Sequence, residues 1–348
     1  MNELIANYLS ELKFGEPQRF ENMEVIPLFV SIDDGPQYLT LKEAMDQNFL
    51  VVTEVSHGGS VPELKVANKA KVPVLLLDGE ELAGAKQNRV LNTTILLKEK
   101  SKTIIPVSCT EQGRWSYMSP EFGESGVIIS PQVRSEKAAS VTRSLGISGK
   151  YDSNQGAVWD MIEEISGQAE VESPTSAMRD VFEAKSGDLD GYLRAFEYIP
   201  QQKGLIAFIN GEVAGLDILS LASSCKILHQ KLVKSYAMDA LLQKKGKGIA
   251  SPLDAARAFI KAAAECSESK YDSLGHGTDY RFESPKMVGS ALVYGDKVIH
   301  MAFFRATESS QAGNMTRSGL RRDFRTQRSA WDEALCDTEA FEPLDGLQ

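Results

Sequence analysis

An α+β fold is what the sequence predicts: mixed, mostly antiparallel β units with a pseudo-repeated strand–turn element and a helical insert. Three observations carry this. Short runs rich in Val, Ile and Leu come in blocks instead of alternating with helices, which argues against a parallel βαβ sheet. Helix-starting devices are gathered between two such blocks. Gly295-Asp296 separates two apolar runs, the short-range signature of a hairpin.

Taken in chain order, Leu4, Ile5, Tyr8, Leu9 and Leu12 repeat at helical spacing, so residues 1–20 are expected to carry a docking helix. Met23 to Val30 reads as a strand interrupted by Pro27. Thr40 and Glu43 form a capping box, since each can satisfy a backbone donor of the other. Phe49–Val55, Val72–Leu77, Val90–Leu97 and Thr103–Val107 read as further strands, closing a β-rich part over 21–129. A helical insert is expected over 130–203. Ser130-Pro131 and Ser173-Pro174 each offer a cap before a first-turn proline, and Val158, Met161, Ile162 and Ile165 form a helical stripe. Glu136 to Tyr151, rich in Ser, Gly and Lys, is read as an exposed loop within it. A second β/α half spans 204–305, with a strand at Leu205–Ile209, a long helix over Leu219–Leu242, another capped by Ser251-Pro252, and strands at Met287–Tyr294 and Val298–Phe304. Residues 21–305 thus form a single domain. Beyond it, Arg317, Arg321, Arg322, Arg325 and Arg328 precede an end containing six acids and no Lys or Arg, so 306–348 reads as a flexible Arg-rich segment and acidic tail. The pseudo-repeat consists of Asp78-Gly79 through Gly84 and Asn210-Gly211 through Gly215, each closing an apolar run.

Composition narrows the function. Of 348 residues, 42% are hydrophobic and 25% charged, ordinary for a soluble globular chain. A net charge of −10 argues against nonspecific nucleic-acid binding. No apolar run approaches a membrane span, no secretory signal opens the chain, and Cys109, Cys225, Cys266 and Cys336 show no CxxC pairing, so the cytoplasm is the expected compartment. The HExxH and HxH pairs, GxGxxG, Walker A and GxSxG motifs are missing, which removes the standard zinc, dinucleotide, NTP and α/β-hydrolase readings. No metal site is expected, and the sequence names no cofactor.

Chemistry concentrates between Asp78 and Thr94. This connection is too long for a structural hairpin and mixes glycines, amides and both charge signs. Glu80 and Glu81 are the acid/base candidates. Lys86 and Arg89 could neutralise a phosphate, and Gln87, Asn88 and Asn92 could hydrogen-bond a sugar or base. Glu111, Arg114 and Trp115 are expected alongside, the last two as a cation and stacking platform. Cys109 has Arg114 five residues on but lacks a histidine and a full anion-cradling loop, so it reads better as a buried small hydrophobe. Glu80, Glu81, Gln87, Asn88, Arg89 and Arg114 are expected to line one concave surface.

The run Pro73 to Asn92 and the run Ile105 to Trp115 resemble the signature of a bacterial and archaeal family named for its association with ADP-ribosylglycohydrolases and rhodanese-phosphatases. Gln155 with Val158-Trp159, Gly204 to Asp217, and Val298 to Phe303 are similar too, so the resemblance covers most of residues 20 to 305. It implies a domain of unknown function whose genomic neighbours point to NAD or ADP-ribose metabolism. Two readings stay open: an enzyme or sensor taking an ADP-ribose- or NAD-like nucleotide-derived ligand at the Glu80–Asn92 loop, or a noncatalytic interaction or scaffold protein whose polar loop is structural. Substrate, metal dependence and homo-oligomerisation are left open by the sequence.

Overall fold

The computed structural model describes residues 1–32, 35–56, 58–243 and 252–307. His57, Ser251, Cys336 and nearly all of the Arg-rich and acidic segment lie outside the described residues.

Helix α1 (Glu3–Ser10) and strands β1 (Lys13–Phe14) and β2 (Gln18–Phe20) lead into β3 (Met23–Phe29). Then come β4 (Leu39–Thr40), α2 (Leu41–Asp46), β5 (Leu50–Glu54), β6 (Glu63–Asn68), β7 (Val74–Leu76), β8 (Glu80–Gly84), β9 (Arg89–Leu91), β10 (Ile95–Leu97), β11 (Ser101–Cys109) and β12 (Phe122–Ile128). Helices α3 (Pro131–Ser148), α4 (Gln155–Ala169), α5 (Met178–Ala184) and α6 (Ser186–Ala195) follow. The chain continues through β13 (Gly204–Ile209), β14 (Glu212–Leu219), α7 (Ala222–Leu242), α8 (Pro252–Ala264), β15 (Ser267–Asp272), β16 (Thr278–Ser284), β17 (Met287–Tyr294) and β18 (Lys297–Arg305). The fold is mixed α+β, with sheets that are mostly antiparallel.

A nine-stranded sheet runs β1-β3-β13-β14-β18-β17-β16-β15, with β2 also paired to β3. Both its faces are covered, which explains why Gly204–Ile209 is apolar throughout instead of alternating. Leu205, Ala207 and Ile209 face a core shared with Val158 of α4, Val181 of α5 and Leu232 of α7. Ile206 and Phe208 face a second core, completed by Ile5 and Leu9 of α1 and Ala256 of α8. A six-stranded sheet, β12-β8-β9-β11-β6-β5, curls into a half-barrel beside a three-stranded sheet, β10-β7-β4. Its interior holds Leu50, Val52, Leu64, Leu82, Leu91 and Val107, with Leu41 and Ala44 of α2 packed into it. Helix α2 starts at the expected capping box, with both of its bonds formed.

Several expectations are corrected. Residues 136–148 are helix, not an exposed loop: α3 continues to Ser148, and Lys137, Ala138, Val141 and Leu145 are buried. Its Ser, Lys and Glu side chains hide the helix in the sequence because its inward face is polar. Ser173-Pro174 does not open a helix. Ser173 Oγ accepts the Ala177 backbone N–H at 2.8 Å across a turn, and α5 begins only at Met178. Val90–Leu97 is two strands, broken at Asn92-Thr93-Thr94, whose side chains are hydrogen-bonded elsewhere. The strand–turn element recurs with a left-handed glycine in each copy, Gly79 and Gly211, both at φ 84°. Its settings differ. Asn210-Gly211 closes the β13–β14 hairpin, whereas Asp78-Gly79 passes the chain from the three-stranded sheet to the half-barrel. Glu212 is exposed where Glu80 and Glu81 are buried.

Candidate functional site

The hairpin β8–β9 carries most of the residues singled out from the sequence, and its register decides where each one points. Glu81 pairs with Val90 and Leu82 with Arg89, so Glu81 and Arg89 lie on opposite faces. The expectation of one concave surface therefore fails: the side chains divide among four surroundings.

Glu80 accepts the Leu77 backbone N–H at 2.9 Å and pairs with Lys231 of α7, which also binds Glu124 at 2.9 Å. Glu81 accepts the Thr110 hydroxyl at 2.6 Å through Oε1, while Oε2 is buried without a partner. Burial pushes its carboxyl up to about 7, with the Thr110 hydroxyl bond the main influence opposing it. Asn88, Glu111 and Arg114 form a closed network. Arg114 donates to Glu111 through Nε at 2.8 Å and Nη2 at 2.6 Å, and to the Ala85 carbonyl at 2.7 Å; Glu111 also accepts from Thr175 at 2.9 Å and the Asn88 N–H at 3.0 Å. Burial raises the Glu111 pKa, but its bonds from Arg114, the Asn88 N–H and Thr175 more than offset this, and the net shift is downward. Asn92 turns away altogether, donating to the Tyr151 carbonyl at 3.0 Å and accepting from Ser108 at 2.8 Å.

The fourth group sits at one end of the half-barrel interior. Arg89 lies opposite Cys109 in the ladder, on the face shared with Leu82, Leu91 and Val107. Its guanidinium is 0% exposed. Nη1 donates to Gln87 Oε1 at 2.7 Å and to Cys109 Sγ at 3.0 Å; Nε and Nη2 have no partner. Among the described residues no carboxylate pairs with it. An unpaired buried N–H forfeits its water without recompense, at about 1–3 kcal/mol, and more for a charged group. Trp115, 45% exposed, lies over Arg89 with 5.6 Å between the guanidinium carbon and the ring centre. The Lys86 ammonium is 5.1 Å from the same ring and 5.2 Å from that of Tyr117, and donates to the Gly58 carbonyl at 2.6 Å. The platform expected of Arg114 and Trp115 is thus built by Lys86, Arg89 and Trp115, because Arg114 is turned inward to Glu111. Cys109 is buried beside Arg89, and burial pushes its thiol up to about 11, which suits a small core side chain better than a nucleophile.

Two residues of this corner are not among the site candidates read from the sequence, although Gln155 is one of the residues that carry the family resemblance. Gln155 of α4 clamps the Cys109 backbone, accepting its N–H at 2.7 Å and donating to its carbonyl at 2.9 Å. Glu54 ends β5, on the inward face with Leu50 and Val52, and is 7% exposed with Oε2 unpartnered. Its signal is an acid where the period-two pattern calls for an apolar residue.

A larger polar cluster is internal and matched in charge. Arg134 of α3 makes two bonds to Asp217, 2.9 and 2.7 Å, and one to Asp78 at 3.3 Å; Lys137 also pairs with Asp78. Tyr236 donates to Asp217 at 2.8 Å, and His300 bridges Thr94 (2.9 Å) and Asp217 (3.4 Å). Hydroxyl, imidazole and carboxylate follow in the order used by nucleophilic hydrolases, but Thr94, His300 and Asp217 are buried and Asp217 is held by Arg134 and Tyr236. This is a structural seam. Among the described residues no three His, Cys, Asp or Glu side chains gather as a metal group, and no helix is long and apolar enough to cross a membrane.

The arrangement defines an α+β domain with a half-barrel whose mouth combines a buried, incompletely bonded arginine with an exposed indole. The chain belongs to the ARPP-1 family: residues 11–304 match the ARG and Rhodanese-Phosphatase-superfamily-associated Protein domain. No curated protein and no solved structure matches it.

Proposed function

We propose that the half-barrel mouth binds a nucleotide-derived small molecule of the ADP-ribose or NAD class. One observation carries this reading: Arg89, fully buried, has two unpartnered donor nitrogens, Nε and Nη2, beneath the half-exposed Trp115. A ring stacking on the indole and an oxygen accepting from Arg89 would satisfy both, while Lys86 meets phosphate charge at the rim. The family's association with ADP-ribosylglycohydrolases supports the same ligand class. Of the residues first singled out, Lys86, Gln87, Arg89 and Trp115 serve this site; Asn88, Glu111 and Arg114 brace it, and Asn92 belongs to the seam behind it.

The reading is one of binding. Glu81 lies across the sheet from Arg89, and the charge of Glu80 is met by Lys231. An acid/base role for Glu81 is a separate proposal, to be tested by Glu81→Gln on any turnover found. The noncatalytic alternative has its own observation, the neighbouring exposure of Trp115, Tyr117 and Met118, the last at 74%. Calorimetric titration of the protein with ADP-ribose and with NAD tests the proposal. At least one should bind, and Trp115→Ala and Lys86→Met should each weaken it at least about tenfold, roughly 1.4 kcal/mol. If neither ligand binds, or both variants bind like the wild type, the interaction reading takes its place.

A further inference from the structure

Glu54 constrains what the buried end of the mouth can accept. Its side chain faces the half-barrel interior, as Arg89 does, and their opposite charges both act on the Cys109 thiol. Glu54 Oε1 is 3.4 Å from the Lys86 backbone N–H, so the acid borders the segment that carries Gln87 and Arg89. Yet no ion pair joins it to Arg89: its Oε2 and the guanidinium Nε and Nη2 are all buried and unpartnered. Two donors and one acceptor therefore stand in one interior with their bonding unspent.

We infer that the ligand group received by Arg89 and Glu54 is neutral and planar, with an acceptor next to an N–H donor: a primary carboxamide on an aromatic ring. The inference rests on the reading of this mouth as a ligand site. The carbonyl oxygen has two lone pairs for Nε–H and Nη2–H, and the amide N–H has Glu54 Oε2 to donate to. Charge decides against a phosphate or carboxylate at the same place. Arg89 and Glu54 already sum to zero, and the Cys109 thiol adds nothing, so a neutral group keeps the interior neutral. An anion there would leave a buried charge unmatched beside Glu54. The ligand's phosphates stay outside, at Lys86. Trp115 stacks on the ring that bears the amide.

The test uses the full chain and three simple probes, benzamide, benzoate and inorganic pyrophosphate, followed by ligand-observed NMR and indole emission. Benzamide should bind the wild type, and benzoate at least about tenfold more weakly. Glu54→Gln, which can donate to a carboxylate, should erase that difference. Arg89→Lys, which keeps the charge and loses the fork, should weaken benzamide at least about tenfold. Pyrophosphate should respond to Lys86→Met and not to Glu54→Gln. The benzamide-to-benzoate ratio on the wild type needs no variant to fold. Benzoate bound as tightly as benzamide would overturn the inference. So would silence from benzamide while ADP-ribose binds in an Arg89-dependent way, an outcome that leaves the ligand-site reading standing. Silence from benzamide, ADP-ribose and NAD together would remove both.

Discussion

Glu81 shows how a single side chain can write a pH dependence into the whole chain. Its carboxyl is buried with one oxygen unpartnered, so the folded state favours the proton and the pKa rises to about 7, while in the unfolded chain it returns near 4.5. Between those values the folded state holds more protons than the unfolded one, and stability must fall as pH rises. The loss is complete above about pH 7 and is on the order of 3 kcal/mol. Asp239, pushed up to about 6 by burial, contributes with the same sign but finishes its titration earlier. Asp279 and Glu283, also raised by burial, act in the same sense, whereas His229, lowered by burial, acts in the opposite one, so the part of the slope that belongs to Glu81 is read by removing its charge. In Glu81→Gln the amide oxygen can still accept from Thr110, and the charge is gone. We expect its melting temperature to fall clearly less than that of the wild type between pH 6 and 7.5 and to be higher than the wild type at pH 8. A variant with the wild-type slope would show that Glu81 is ionised in the fold at neutral pH. Cys109 makes a related point about legibility. Its reading as a small core residue followed from the missing histidine, and its burial agrees, whereas Glu54 was legible only as an acid in an inward strand position.

At the scale of elements, α3 is the least legible and the most consequential. Its sequence lacks an apolar stripe because the face it buries carries Arg134 and Lys137, one turn apart, into contact with Asp78 and Asp217. Burial raises the Asp78 carboxyl, but Lys137 and Arg134 more than offset it and hold the net value low; Asp217 is held well down, with Arg134 the main opposing influence to burial. Removing one member of such a set leaves a buried charge unmatched. Arg134→Met should cost about 3–5 kcal/mol, read as a shift in the urea midpoint. The double variant with Asp217→Asn should cost clearly less than the two single changes summed, because the second substitution removes the stranded charge. Strict additivity would mean that the pair does not act as a unit. The apolar strands, by contrast, could be read directly, since β-branched runs at β5, β7, β13, β17 and β18 carry their own signal. Strand β8 could not, because Glu80 and Glu81 disguise it as a loop. A pattern based on apolar side chains sees an element only where the buried face is apolar, and this chain buries charges on α3 and β8 alike.

Across residues 1–307, the half-barrel and the nine-stranded sheet have separate apolar interiors. Between them lies a shared apolar core, where Val90, Val127 and Ile128 meet Leu205, Ala207 and Val288, and a polar seam crosses the same boundary: Asp78 to Arg134 and onward to Asp217, Thr94 to His300, and Thr93 to Asp279 at 2.8 Å, with Arg281 on Asp279 at 2.6 Å. The α+β class was legible because it depends on the order of strand and helix blocks. The seam was not, because its partners are as far apart in sequence as Thr94 and His300. Buried charges matched only across a seam couple its two sides: if one opened alone, both would lose their counterions. The chain, although longer than the usual two-state domain, should therefore unfold these parts together. With Trp159 and Trp331 replaced by phenylalanine, Trp115 reports on the half-barrel mouth alone, while far-UV circular dichroism reports on all the helices and sheets. In this single-tryptophan background the two urea transitions should coincide, and adding Asp217→Asn should lower both midpoints by the same amount. Indole emission that changes at clearly lower urea than the dichroism would show the half-barrel opening by itself, and the seam would then be a contact between independent units.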